Sequence, residues 1–141
     1  MPVSIIAYLG ALLSMLALDA VWLGVIMPSV YQAAIGHLLL PEPRWGAAIV
    51  FYLAYPVGIV VFAVLPAFRA AMPRQAWLLG ALYGALAYAT YDLTNLATLQ
   101  GWPVHIVVID IAWGAFISAV AAACGLAALR RKAPALAPGR A

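Results

Sequence analysis

Four stretches of this chain stay apolar for longer than the roughly 20 residues needed to cross the hydrocarbon core of a bilayer. They run from about Pro2 to Met27, Trp45 to Phe68, Gln75 to Leu99 and Pro103 to Leu129. Strand-like alternation is missing, which argues against a barrel. With 141 residues, 68% hydrophobic and 8% charged, a water-soluble fold would have too little interior to hide this surface. The expected fold class is all-α: a transmembrane four-helix bundle over residues 1–132, with a short interfacial segment between helices 1 and 2. The Pro/Ala-rich end, residues 133–141, reads as a flexible tail. No Lys or Arg precedes the first stretch, and it outruns the apolar core of a secretion signal, so it reads as a retained helix.

An even number of crossings puts both termini on one side. That side carries Arg69, Arg74, Arg130, Arg131, Lys132 and Arg140; the other carries Arg44 alone. The positive-inside rule then places both termini in the cytoplasm. The net charge of +3 suits anionic lipid head groups and calls for no nucleic acid.

The acidic residues are the informative ones. Glu42 lies in the first loop, but Asp19, Asp92 and Asp110 all fall inside spans. A charge at mid-bilayer costs about 2.5–3.5 kcal/mol on insertion scales, so three of them demand an explanation. Asp19 and Asp92 each lie about 17 residues into their helices from the cytoplasmic side, roughly 25 Å up at 1.5 Å per residue. Asp110 lies about seven residues in from the opposite side, roughly 10 Å deep. Tyr52 and Tyr55 on helix 2 sit at the same level. All four spans therefore place polar groups in one outer layer.

Helical spacing agrees with depth. Tyr88, Asp92 and Asn95 share one face of helix 3, Asp110 and Trp113 one face of helix 4, and Asp19 and Trp22 one face of helix 1. Polar faces turn inward because lipid offers them no partners. The expected site is thus a polar pocket near the periplasmic surface, bordered by Asp19, Tyr52, Tyr55, Tyr88, Asp92, Asn95, Asp110 and Trp113. In "YATYDLTNLATLQGWP", residues 88–103, Gly101 ends helix 3, Pro103 starts helix 4 and Trp102 sits at the interface.

Other features carry less. His37 and His105 have no ligand spacing, so no metal is expected. Cys124, the single cysteine, excludes an intrachain disulfide. "PSVYQAAIGHLLLPEP" is too short to span and reads as an interfacial connector, with a lid over the bundle mouth as the sharper alternative. "GALYG", residues 80–84, reads as close packing within the bundle. Phosphate loops, nucleophile elbows and zinc motifs are missing, and no cofactor is indicated.

"AYATYDLTNLATLQGWP" followed by "DIAWG" resembles a family of small bacterial membrane proteins, domain of unknown function 2177. "LDAVWLG" in helix 1 and "FYLAYPVGIVVFAVLPA" in helix 2 extend the resemblance over most of the chain. It implies Asp19, Trp22, Tyr52, Tyr55, Asp92, Asn95, Trp102, Asp110 and Trp113 as motif positions and supports the span count. Family members often carry a basic residue where this chain has Gln100. The resemblance implies no substrate.

Three readings of function follow. The first is a module that binds or transports a small ligand, cation or proton, alone or as a homo-oligomer. The second is an intramembrane enzyme acting on a lipid or isoprenoid, with an Asp as general acid or base. The third is an assembly subunit whose aspartates meet a membrane protein partner. The apolar inner halves of the spans disfavour a continuous channel, and the balance lies with the binding module over the enzyme.

Overall fold

The computed structural model describes residues 3–132, so the expected tail lies outside the described residues. Among these residues the chain is all-α, without strands. Helix α1 (Val3–Val21) runs into a π-helical turn at Trp22–Ile26. A short helix α2 (Pro28–Ile35) and a 3₁₀ turn at Gly36–Leu38 make the connector. Helix α3 (Trp45–Ile59) continues through a second π turn at Val60–Val64 into α4 (Leu65–Arg69). Helices α5 (Pro73–Thr98) and α6 (Val104–Lys132) complete the chain.

Three helical segments are long and apolar enough to cross a membrane: Ser4–Ile26, Trp45–Arg69 and Val104–Lys132. The long helix α5 is not among them, because its tyrosines, threonines and Asp92 dilute its apolar content. The four expected spans are thus four helical stretches at nearly the expected boundaries, of which three meet the hydropathy demand of a crossing.

The π turns have a common local cause. Each is followed by a proline two residues on, Pro28 after Ile26 and Pro66 after Val64. A proline ring clashes with the carbonyl four residues before it and cannot donate to it. Those carbonyls belong to Gly24 and Phe62, in the middle of the two π turns. Widening the turn relieves the clash, and the backbone bonds move to five-residue spacing, Met27 N to Trp22 O at 2.9 Å and Leu65 N to Val60 O.

Helix α6 is the centre of the fold. It packs most extensively along α5 and next along α1, and about half of its spanning stretch is buried. Small residues make the α5–α6 approach possible. A Cβ at Gly84 would land on the Gly114 carbonyl oxygen and near the Ser118 hydroxyl, and one at Gly80 would stand 2.6 Å from the Ser118 carbonyl oxygen. Met15, Ile59, Val64, Ile117 and Leu129 are completely buried in the interior. Outward-facing side chains are large and apolar, among them Leu13, Val50, Phe62, Leu78, Leu86 and Val108. Only an apolar solvent tolerates that surface. The turn from α5 to α6 is made by Gly101, whose φ of 74° lies in the left-handed region. Pro103 then caps α6, its carbonyl accepting from Ile106 and Val107.

Gly84→Ala is expected to cost about 1–3 kcal/mol, the usual penalty for overpacking a tight contact. Thermal unfolding of the detergent-solubilised variant beside wild type checks this. An unchanged midpoint would show that α5 and α6 can move apart without loss.

Candidate functional site

The C-terminal parts of α1 and α5 and the N-terminal parts of α3 and α6 leave a cavity of about 640 Å³ between them. Asp19 is on its wall and is 5% exposed. Both carboxylate oxygens are held: the Trp113 indole N–H donates to Oδ1 and the Tyr52 hydroxyl to Oδ2, each at 3.0 Å. Three helices therefore fix this one group. Each oxygen retains acceptor capacity for a further partner.

Aromatic rings make up most of the remaining wall. Trp22 lies flat on Trp113, with centroids 4.1 Å apart and planes within 3°. Tyr55 is buried, and its hydroxyl shares a hydrogen bond of 2.9 Å with Ser118. Tyr88 meets Tyr55 edge-on and rests against Gly114, where any Cβ would collide with its ring. Phe51, Tyr31 and Tyr91 complete the aromatic part. One turn further along each helix, Met15 follows Asp19, Ile59 follows Tyr55 and Ile117 follows Trp113, all without exposure. The cavity is closed on that side.

A second polar group lies beside the cavity. Asp110, 8% exposed, accepts a hydrogen bond of 2.5 Å from Tyr31, which itself accepts from the Trp22 indole at 3.3 Å. Tyr31 comes from α2, so the connector is tied to α6 and to the end of α1. Burial, and then the Asp110 carboxylate, push the Tyr31 hydroxyl well above the usual tyrosine range, which keeps it a donor. Asp92 is fully buried, and neither of its oxygens has a hydrogen-bond partner. The Trp102 indole and the Asp110 carboxyl are within electrostatic reach of it. The Trp102 N–H is also buried without a partner.

Of the eight residues singled out in the sequence, Asp19, Tyr52, Tyr55, Tyr88 and Trp113 line the cavity. Asp92, Asn95 and Asp110 do not; Asn95 is half-buried near the top of α5. The wall is mainly aromatic with one carboxylate, rather than a cluster of three. Trp102 is buried against Ile35 and Val107. Sequence reasoning missed Tyr31, Phe51 and Tyr91 as wall residues and the pairing of Trp22 with Trp113. Pro28 was the available signal for Trp22 and Tyr31, since it marks where the register of the first helix fails. His37 and His105 are exposed. Among the described residues no three His, Cys, Asp or Glu side chains come together in a way that could hold a metal.

The sequence model of a family described as "Predicted membrane protein (DUF2177)" matches residues 4–127, nearly the whole described chain. The chain belongs to this family. Every cavity-lining residue of this DUF2177 member lies within the matched region. No curated protein and no solved structure matches the chain.

The two polar groups respond differently to substitution. Tyr31→Phe strips Asp110 of its donor and is expected to lower stability by about 1–3 kcal/mol. Asp92→Asn removes no hydrogen bond and is expected to leave the thermal midpoint unchanged or raised. A pair of unfolding curves checks both; a large loss in Asp92→Asn would mean that Asp92 has a partner.

Proposed function

We propose that this protein binds a small organic cation within the outer leaflet of the bacterial inner membrane. The observation that carries this reading is the Asp19 carboxylate, oriented by Trp113 and Tyr52 in the wall of a cavity made mostly of aromatic rings. Ring faces attract cations by about 0.5–2 kcal/mol each, most where water is excluded. A carboxylate supplies the counter-charge. A neutral polar ligand would find few groups to bond with, and an anion would meet Asp19. The closed layer of Met15, Ile59 and Ile117 favours a blind binding site over a conduit through one chain.

The same proposal includes four crossings, with both termini cytoplasmic and the cavity toward the periplasm. Helix α5, with 26 residues, is about 39 Å long, enough for a core of roughly 30 Å. Its exposed Thr90, Thr94 and Thr98 hydroxyls bond back to carbonyls one turn earlier. That internal satisfaction lowers the cost of setting them against lipid. The six cations on the expected cytoplasmic side support the orientation.

Binding is tested by titrating the purified protein with benzyltrimethylammonium and its uncharged tert-butyl analogue, read by tryptophan fluorescence. The cation is expected to bind at least about tenfold more tightly, with the preference lost in Asp19→Asn, equivalent to roughly 1.4 kcal/mol. Equal binding of both probes, or an unaffected variant, defeats the reading. Topology is tested with a membrane-impermeant thiol reagent on intact cells in a Cys124→Ala background. Pro41→Cys is expected to label and Ala71→Cys not to label. The reverse pattern inverts the orientation, and labelling of both removes the fourfold crossing.

A further inference from the structure

At the other end of α1, far along the helix from Asp19, a second concavity of about 700 Å³ opens between α1 and α6. Its α1 wall is Ile6, Leu9, Gly10 and Leu13, one stripe at helical spacing that follows roughly 10 Å of the helix axis. Gly10 sets the depth at its floor: a Cβ there would stand 2.9 Å from the Ala128 Cβ and 3.0 Å from the Cys124 carbonyl oxygen. Leu9 and Leu13 are exposed on the outer surface, so the groove opens sideways to lipid. At its mouth stand Arg131 and Lys132, both exposed, in the last turn of α6. The four acidic residues of the chain, Asp19, Glu42, Asp92 and Asp110, all lie outside this lining.

We infer that this groove is a binding site for an anionic phospholipid: its phosphate lies between Arg131 and Lys132, and an acyl chain follows the Ile6–Leu9–Leu13 stripe. Charge complementarity selects the head group. Two cations without a lining carboxylate favour an anionic head group over a zwitterionic one, whose own ammonium they repel. The groove selects a lipid over a soluble phosphate, because the apolar stripe begins where the cations end. Exposed basic residues alone would attract any anionic surface without a defined stoichiometry. The groove gives the head group a fixed address, with its tail held against α1 and α6.

Native mass spectrometry of protein released from mixed micelles of phosphatidylglycerol and phosphatidylcholine tests this. Wild type is expected to retain one phosphatidylglycerol with a preference on the order of tenfold or more, given the attraction of two cations near the membrane surface. Retention is expected to fall to the phosphatidylcholine level in the Arg131→Gln/Lys132→Gln variant. It is also expected to fall in Leu9→Trp, which fills the groove and keeps both charges. Soluble glycerophosphoglycerol is expected not to displace the lipid. Equal retention of the two lipids by wild type overturns the site, a result that needs no variant to fold. Full retention in Leu9→Trp, or displacement by glycerophosphoglycerol, reduces it to surface charge and also overturns it.

Discussion

Water does not solvate a carboxylate inside a membrane helix bundle, so the protein itself must supply the donors. Asp19 meets that demand with an indole from α6 and a phenol from α3. The consequence is architectural. An α1 residue that takes its donors from two other helices fixes their rotation and depth relative to α1. The Trp22–Trp113 stack follows, since Trp113 is held by Asp19 and presents its free face to the end of α1. Trp22 then donates to Tyr31, and Tyr31 to Asp110. A single chain of contacts runs from one aspartate to another through three aromatic side chains, Trp113, Trp22 and Tyr31, and it anchors the connector on the way.

Asp92 breaks that pattern. It is fully buried on α5, yet its oxygens receive no hydrogen bond. An unsatisfied buried polar group costs about 1–3 kcal/mol. The cost is carried by the packing of α5 on α6, where Gly80 and Gly84 let the two backbones approach. Asp92 and Asp110 thus have different standing despite their proximity. One is integrated with Tyr31, and the other is held in place by its neighbours' shape.

Much of this was legible in the residues. Apolar run length marked the helical stretches, and polar residues at helical spacing pointed inward. Asp19, Tyr52, Tyr55, Tyr88 and Trp113 could be chosen on those grounds because depth and face are properties of one helix at a time. What escaped depends on two helices at once. Whether a carboxylate reaches a cavity, as Asp19 does, or stays buried away from it, as Asp92 does, is decided by interhelical distance. The stack of Trp22 on Trp113 requires both the crossing of α1 with α6 and the π turn before Pro28. Tyr31 sits in a connector whose composition suits an interface, and only its path back over α6 makes it a site residue.

The position of the cavity follows from side-chain size along the helices. Toward the end of the bundle that holds the start of α1 and the close of α6, α6 presents Ala121, Ala122 and Gly125, all buried, and α1 presents Ala7 and Ala11. Backbones there approach until little space is left, and Met15, Ile59 and Ile117 fill what remains. Toward the other end α6 carries Trp113, the turn after α1 carries Trp22, and α3 and α5 bring Tyr52, Tyr55, Tyr88 and Tyr91. Those rings line the gap between the helices instead of filling it. The open volume and the aromatic wall thus share one cause. Asp19 stands at the boundary between the tightly packed layer and the ring-lined cavity, where a carboxylate can be held from the side by Trp113 and Tyr52 and still meet a guest.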